Sequence, residues 1–401
     1  MVAGVPTVAE LGDLGLDEGG LLLIKRALRD VPVGGTLEVR GRDRDLSVHL
    51  RGWCRGQGHV FDASSGETLC IQKGQAEQGR WKGAERAGAV DPKAQGAVVD
   101  RASERWGLAA RGSRVEAGTP AFSFPLSDKR RVWSDDAARL YAQAAAAQWD
   151  PATAIPWDAS FELPDEIEDA VVQVMTYLIE NETAALIIPA RFASQVHPHF
   201  REVMQLLAVQ AADEARHMEV FTRRATLRRP ELGLSTAGGQ ASLKTLVEEP
   251  EFELASFLLS VLGEGSFLSL LWFLHRHAPD PVTREVTRLA AQDEARHVAF
   301  GLSHLARHLG EDPTLRDRLA ASVSQRHEAL RHTAGLNEEV FDALILLAAG
   351  SWEPGAIRRG YHLVVELERD MHRARRDRLE KLGFPSEQAA ELSALHTRNF
   401  M

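Results

Sequence analysis

The chain has 401 residues, 44% of them hydrophobic, with a formal net charge of −10 and a pI near 5.9. This length and composition predict two or three globular domains. The acidic balance provides no large positive field for phosphate groups, so neither nucleic acid nor a membrane is an expected partner. Two cysteines, Cys54 and Cys70, cannot build a disulfide framework, and a cytoplasmic location is expected.

Residues 1–73 are predicted to form a small α/β domain. Helical and strand-like patterns alternate there, with helices over 21–28 and 46–56 and strands over 36–40 and 68–72.

Part of this domain resembles the TusA/SirA sulfur-carrier family. The matching segments are Leu14-Gly15-Leu16, the run 23–39 ending in Gly-Gly-Thr-Leu-Glu-Val, and Trp53-Cys54 followed by Gly58-His59. That family carries sulfur on the cysteine of a Cys-Pro-x-Pro motif, where this sequence has Glu18-Gly19-Gly20-Leu21. We therefore expect no sulfur-carrier activity, a docking or structural role for the domain, and a half-buried core position for Cys54.

Residues 74–132 are rich in Gly, Ala, Gln and charged side chains, and they are predicted to be a linker with one short helix near 97–109. The remaining sequence is almost continuously helical. It predicts a helical bundle over 133–335 and accessory helices over 336–401, which either cover the bundle or form the interface of a homodimer. The charged run 366–381 is expected to be a solvated helix face.

The pentapeptide Asp-Glu-Ala-Arg-His occurs twice, at 213–217 and 293–297, each time within helix-forming sequence. Glu and His three residues apart lie on one face of a helix, so each copy can direct a carboxylate and an imidazole at the same point. Two such pairs, with one Glu from each of two further helices, form the ligand set of di-iron and di-manganese bundles. The four ligands predicted from the repeats are Glu214, His217, Glu294 and His297.

The two remaining carboxylates are expected on the helices that precede the pentapeptides. Glu264 is the candidate before the second copy, and it lies within an otherwise apolar stretch. Because a bilayer would strongly disfavour its charge, we expect this stretch to be a buried bundle helix and not a membrane span. Before the first copy the candidates are Glu180 and Glu182. Glu182 follows the apolar face of its predicted helix and is preferred, with Glu180 open as the alternative. Two divalent metals would compensate four buried carboxylates.

Other residues of the repeats are predicted to support the ligands. Asp213 and Asp293 can each accept the free imidazole N–H of a ligand histidine. Arg216 and Arg296 either neutralise these aspartates or form ordinary surface ion pairs.

Glycines flank Glu264 on both sides, at Gly263 and Gly265. Because glycine is a poor helix former, they predict either a π-bulge that loosens the helix at the carboxylate or close packing against a neighbouring helix.

With these positions, residues 134–310 resemble the ferritin-like di-iron carboxylate superfamily, and the doubled pentapeptide is most similar to its O2-activating oxygenases and oxidases. The resemblance implies a ferritin-like four-helix bundle, two Fe ions with Mn/Fe or Mn as alternatives, and O2 as co-substrate. Residues typical of individual subgroups are replaced by Phe221, Leu268 and Ala290, so no named subgroup matches fully.

The resemblance further implies a non-haem di-iron oxygenase or oxidase that attacks a C–H or N–H bond of a small organic substrate, with the six ligands as its catalytic residues. A ferritin-like iron-handling or peroxide-scavenging protein is the alternative, and a structural or partner-binding protein with a vestigial, metal-free site is the third. The chain has no Gly-x-Gly-x-x-Gly fingerprint and no cysteine cluster, so an external electron donor, a reductase or a ferredoxin, is expected.

Overall fold

A computed structural model describes residues 7–65, 68–75, 79–94, 96–331 and 338–395. The chain divides into two compact units, Met1–Val99 with Ser103–Ser123, and Asp100–Ala102 with Phe124–Met401. The first is a small α/β unit and the second is helical, which confirms the predicted fold class. The domain boundaries drawn from the sequence stay a prediction.

The first unit is built on a four-stranded sheet. Its elements are β1 (Thr7–Glu10), α1 (Leu21–Arg29), β2 (Thr36–Arg40), α2 (Leu46–Gln57), β3 (Val60–Ser65) and β4 (Thr68–Gln72). The strand order is β1-β2-β4-β3, with β1 and β2 parallel and the other pairs antiparallel. Leu37 and Val39 alternate inward on β2 and are fully buried. They belong to one core with Ile24 of α1 and Leu50 of α2.

The two helices and two strands predicted for this unit are confirmed to within a residue or two. Strands β1 and β3 were not predicted, because β1 is four residues long and β3 ends in small polar residues. The resemblance to the sulfur-carrier family stays a prediction. Glu18, at the carrier position, lies in the one-turn π-helix Leu16–Gly20 immediately before α1.

The rest of the first unit contains little regular structure. Strands β5 (Glu85–Arg86) and β6 (Arg114–Val115) pair in an antiparallel ribbon, and a 3-10 turn spans Glu104–Trp106. The helix predicted near 97–109 is wrong. Gly107 follows this turn with a φ of 47°, a positive value that favours glycine.

The second unit consists of helices in the order α3 (Lys129–Val132), α4 (Ala137–Ala146), α5 (Asp165–Ala193), α6 (Arg201–Ala225), α7 (Ala237–Val247), α8 (Phe252–Ser256), α9 (Gly265–Arg276), α10 (Pro281–Glu311), α11 (Leu315–Leu330), α12 (Glu338–Ala349), α13 (Pro354–Lys381) and α14 (Ser386–Ala394). The bundle comprises α5, α6, α10 and a composite third helix that joins α8 to α9. Helix α5 packs mainly against α6, and α9 against α10. The long connection between the two pairs, which contains α7, is the crossover of ferritin-like bundles.

Local sequence explains where α10 begins. Asp280 precedes the helix, and its side chain accepts a hydrogen bond of 2.7 Å from the backbone N–H of Thr283. Pro281 occupies the first helical position, where a missing N–H costs nothing. The capping aspartate and the proline together explain why the helix begins at Pro281.

The third bundle helix contains a π-helical segment, Phe257–Glu264, in which every residue is buried. The π-bulge predicted beside Glu264 is thus confirmed. Close packing is present as well: a Cβ atom added to Gly265 would lie 2.5 Å from Arg378 Cζ of α13. Both explanations for the glycines therefore apply: Gly263 lies in the π-helical segment that ends at Glu264, and Gly265 lies in close contact with α13.

Two helical stretches, Asp165–Ala193 and Phe252–Arg276, are long and apolar enough to cross a membrane by length and composition. The fold buries 67% and 83% of their most apolar windows. Their apolar character is accounted for by the core of the bundle.

The C-terminal helices cover the bundle. Helix α12 packs against α5 and α13, and α13 packs against α9 and α14. The run 366–381 was expected to be a solvated face, and this expectation is wrong for Arg375 and Arg378, which are only 2% and 7% exposed. A homodimer stays a prediction.

Candidate metal centre

The two pentapeptides meet in the middle of the bundle. Glu214 and His217 lie on α6 and Glu294 and His297 on α10, and all four side chains are at most 2% exposed. Helical geometry places each Glu on the same face as the His three residues later. The Nδ1–carboxylate distances within the two copies, 3.2 Å and 3.3 Å, are nearly the same.

Each imidazole faces carboxylates from both copies. His217 Nδ1 lies 3.4 Å from Glu294 Oε1, and His297 Nδ1 lies 3.0 Å from Glu214 Oε1. Glu182 Oε2 completes the first group at 3.7 Å from His217 Nδ1.

Glu264 completes the second group, with its Oε1 atom 3.9 Å from His297 Nδ1. Potential ligand atoms fall into two groups of four, each within 4.8 Å: Glu182, Glu214, His217 and Glu294, and Glu214, Glu264, Glu294 and His297. The six residues predicted from the sequence are thus brought together, and Glu214 and Glu294 are shared by both groups.

Glu182, rather than Glu180, is in the cluster. Glu182 is 2% exposed, whereas Glu180 is partly exposed and belongs to neither group. Glu264 is held in place by Gln210, whose Nε2 donates a hydrogen bond of 2.9 Å to its Oε1. Sequence analysis missed Gln210, although its position one turn before Glu214 placed it on the ligand face of α6.

The aspartates of the repeats bind the histidines crosswise. His217 Nε2 lies 3.2 Å from Asp293 Oδ2, and His297 Nε2 lies 3.2 Å from Asp213 Oδ2. A histidine that donates Nε2–H to a carboxylate has its Nδ1 lone pair free for a metal.

The arginines pair with these aspartates. Arg216 Nη2 lies 2.6 Å from Asp213 Oδ1 and 2.8 Å from Asp293 Oδ2, so it joins the two repeats. Arg296 pairs with Asp293. Of the two expectations for the arginines, neutralisation of the aspartates agrees with these positions.

Two residues of the helix α4 region complete this network. Trp149 Nε1 donates a 2.8 Å hydrogen bond to Asp293 Oδ2, and Gln148 Nε2 donates one of the same length to Asp213 Oδ1. The Arg216 guanidinium carbon lies 4.6 Å from the centre of the Trp149 ring. Sequence analysis missed Trp149 and Gln148, because no local pattern links them to the repeats.

Bound cations would compensate the buried negative charge of this carboxylate cluster. Burial, together with the adjacent Glu214, raises the pKa of Glu182 to about 8. Burial and the adjacent Glu294 raise the pKa of Glu264 well above its usual value. Three carboxylate oxygens, Glu182 Oε1, Glu214 Oε1 and Glu264 Oε2, are buried without a hydrogen-bond partner in the described part of the chain.

These observations fit a dinuclear metal centre. Buried carboxylate oxygens without donors are costly unless a cation binds them. The donor set is oxygen-rich with one imidazole nitrogen per group, which suits Fe and Mn. The crosswise aspartates would fix the orientation of both imidazoles.

A cavity adjoins the cluster and contains about 290 Å³ of space between protein atoms, including any that is open to solvent. Three of the six candidate ligands, Glu182, Glu264 and Glu294, contribute to its wall. The other lining residues are mostly apolar: Asn181, Ala185, Leu246, Leu259, Gly263 and Phe267. A molecule in this cavity would lie directly against the carboxylate cluster.

No protein-family model and no curated protein matches the chain. Solved structures similar to it include a point variant of an R2-like ligand-binding oxidase with an aerobically reconstituted Mn/Fe cofactor, at 18% identity and a TM-score of 0.49, covering 62% of this chain and 94% of that one. Another variant, with an Fe/Fe cofactor, has 17% identity and a TM-score of 0.48, covering 62% and 94%.

A third structure is the R2-like ligand-binding oxidase from Sulfolobus acidocaldarius, at 17% identity and a TM-score of 0.42, covering 63% of this chain and 93% of that one. The cofactors in these names are those of the named proteins. Similarity at this level carries no argument about the ligand or reaction of the present chain.

Proposed function

We propose that the protein is an O2-dependent oxidoreductase with a dinuclear Fe/Fe or Mn/Fe centre and a small organic substrate. The observation that carries this proposal is the joint placement of two four-ligand groups and an apolar cavity. Glu182, Glu264 and Glu294 belong both to the ligand groups and to the cavity wall. A bound substrate and the metals would therefore be neighbours.

The six clustered residues would hold the metals, with Glu214 and Glu294 common to both groups. When bound, the two ions would supply electrons to O2 and so generate an oxidant for a C–H or N–H bond. Electrons for repeated turnover would come from a separate donor protein, a reductase or a ferredoxin.

The chain's own residues would perform the supporting work. Asp213 and Asp293 hold the Nε2 protons of the two histidines, and Gln210 holds Glu264 by its 2.9 Å hydrogen bond. Apolar side chains of the cavity exclude water from the reacting atoms.

Asn181 is the uncharged polar side chain of the cavity wall, and it is 7% exposed. Its Nδ2 donates a 2.8 Å hydrogen bond to the Tyr177 carbonyl, which can only accept and so fixes the orientation of the amide. The Oδ1 atom is buried without a donor among the described residues. Asn181 would thus accept a hydrogen bond from a hydroxyl or amine of the substrate.

The test uses the full chain loaded anaerobically with Fe(II) and exposed to isotopically heavy O2, a chemical reductant and a panel of small alkylaromatic compounds and aromatic amines. We expect heavy oxygen in an organic product, or a dehydrogenated product, formed by the wild type and not by Glu214→Ala. An Ala185→Leu variant, which fills the cavity, should retain its metals and lose product formation.

The opposite result is O2 consumption in fixed proportion to Fe(II) oxidation, with continued iron uptake and no organic product. That result would favour the iron-handling alternative. An iron store needs no substrate cavity, so the Ala185→Leu variant would then behave like the wild type.

A further inference from the structure

Three arginines form a second polar cluster in the helical unit. Arg375 and Arg378 of α13 are 2% and 7% exposed, and Arg326 of α11 is partly exposed with a buried Nε atom. Arg375 and Arg378 are three residues apart and so lie on one face of α13. Burial, with the positive charges of Arg378 and Arg326, lowers the pKa of Arg375 to about 9. We call Arg326, Arg375 and Arg378 the arginine cluster.

Among the described residues, the cluster has no acidic ion-pair partner. No carboxylate within the described ranges forms an ion pair with any of the three guanidinium groups. They donate instead to neutral oxygens: Arg375 to Ser393 O at 3.1 Å and Ser266 Oγ at 3.0 Å, Arg378 to Val261 O at 2.7 Å, and Arg326 to Ser242 Oγ at 2.8 Å. Arg375 Nε, Arg378 Nη2 and Arg326 Nε are buried with no acceptor in the described structure.

Arg224 is a buried arginine of the same bundle that has carboxylate partners, and it serves as a comparison. It is 0% exposed, and it donates to Glu168 at 2.8 Å and 3.0 Å and to Asp280 at 2.7 Å. These carboxylates raise the pKa of Arg224 against the opposing effect of burial. Burial instead lowers the pKa of both Arg326 and Arg378 to about 10. Within the described residues, the difference between the sites is that Arg224 has carboxylate ion-pair partners and the arginine cluster has none.

The arginine cluster contacts residues that are next to cavity-lining residues in the sequence or one helical turn from them. The Arg378 guanidinium lies against Gly265, the residue after Glu264, and Arg375 binds Ser266, the residue before Phe267. Glu264 and Phe267 both line the cavity. Arg326 binds Ser242, one helical turn before the lining residue Leu246.

We propose that Arg326, Arg375 and Arg378 bind the oxyanion, a carboxylate or a phosphate, of a substrate whose apolar part lies in the cavity beside Glu182, Glu264 and Glu294. Guanidinium groups bind such oxyanions through paired hydrogen bonds, and an anion would compensate the buried positive charge. The assignment of this ligand as substrate rests on the proposed oxidoreductase function; the oxyanion site itself does not. Recognition at the arginines would fix the distance from the anionic group to the bond that reacts.

The test measures binding to the full, metal-free chain by calorimetry, so it does not depend on turnover. The probes share one apolar body and differ in the head group: 4-phenylbutyrate, 4-phenylbutyl phosphate and the uncharged 4-phenylbutan-1-ol. We expect at least one anionic probe to bind tighter than the alcohol by about tenfold or more. The tighter of the two anions identifies the head group.

Variants locate the binding. Arg375→Met and Arg378→Met should each weaken the anionic probe by about tenfold or more, while the Lys variants at these positions should recover part of the loss. Arg373→Met is the matched control, because Arg373 is on the same helix, has a side chain 66% exposed and pairs with Asp370. It should leave the affinity unchanged.

The proposal is overturned if none of the anions binds, if the alcohol binds as tightly as the anions, or if the folded Met variants keep wild-type affinity. The comparison of head groups needs only the wild type, so it remains valid even where a Met variant does not fold. Failure of the proposed function appears separately, as a metal-loaded chain that oxidises no substrate while its anion binding persists.

Discussion

His217 and Asp293 belong to different helices of the bundle, yet the His217 Nε2 atom lies 3.2 Å from Asp293 Oδ2. His297 and Asp213 make the reciprocal contact at the same distance. Each histidine is therefore oriented by the aspartate of the other repeat. This crosswise pairing connects α6 to α10 at the candidate metal centre, so metal affinity and the packing of the two helices should be coupled.

Replacing Asp293 by Asn tests whether the crosswise pairing supports metal binding. An amide can present its NH2 to His217 Nε2 and reverse the tautomer, and loss of such a supporting carboxylate costs about 10–100-fold in metal affinity. We expect Asp293→Asn and Asp213→Asn each to weaken Fe(II) binding in a chelator competition assay. The control is Asp342→Asn, an exposed position on α12. Wild-type affinity in both variants would contradict the proposed role of the pairing.

Glu180 and Glu182 provide a matched pair for the ligand assignment. Both are on α5, but only Glu182 lies in the cluster, with its Oε2 atom 3.7 Å from His217 Nδ1. We expect Glu182→Gln to lower the metal content of the purified chain by one ion and Glu180→Gln to leave it unchanged. Elemental analysis decides between them, and the reverse pattern would reinstate Glu180.

Sequence analysis predicted those ligands of the site whose placement depends on their local spacing along a helix. The Glu-x-x-His pairs follow from helical geometry, and Glu182 was preferred over Glu180 because it continued an apolar stripe. The crosswise pairing could not be predicted, because two identical repeats do not reveal which aspartate serves which histidine. Gln148 and Trp149 reach the repeats through contacts between distant parts of the chain.

The burial of individual charged side chains also could not be predicted from the sequence. The run 366–381 has the composition of a solvated helix, and most of its charged side chains fit that expectation. Arg375 and Arg378 face the bundle because α13 packs along α9, and nothing local marks them out. The same limit applies to β1 and β3, which gain their stability from pairing with β2 and β4.

Cys54 should be chemically inert in the folded protein. It is 0% exposed, and burial raises its pKa to about 12, so the reactive thiolate is scarce at neutral pH. We expect no persulfide on residues 1–73 after incubation with a sulfur donor, as measured by mass spectrometry. Denaturant should make Cys54 react with a thiol reagent. A gain of one sulfur on Cys54 in the folded chain would support the sulfur-carrier function instead.

His304 should make stability depend on pH. It is 0% exposed beside Phe252 and Phe300, and burial, together with His308, lowers its pKa from 6.5 to about 4. Below pH 6.5 the unfolded chain binds a proton on this histidine, whereas the folded chain keeps the imidazole neutral until the pH approaches 4. The free energy of unfolding is therefore unaffected by His304 above pH 6.5 and decreases as the pH falls towards 4. The loss amounts to about 3 kcal/mol.

The variant His304→Phe removes this titration while keeping an aromatic ring in the same position. We expect the free energy of unfolding to fall less steeply below pH 6.5 in this variant than in the wild type. His362→Phe, at an exposed position on α13, is the control and should keep the wild-type slope. Equal slopes for wild type and His304→Phe would show that His304 does not resist protonation in the fold.

The most direct test of the account is the metal content of the full chain after anaerobic loading with Fe(II) and removal of unbound metal. Two clusters of four ligand atoms, sharing Glu214 and Glu294, predict two ions per chain. Glu214→Ala and Glu294→Ala should each lose at least one ion while the helical content stays unchanged. A folded wild-type chain that remains metal-free in excess Fe(II) would contradict the dinuclear centre.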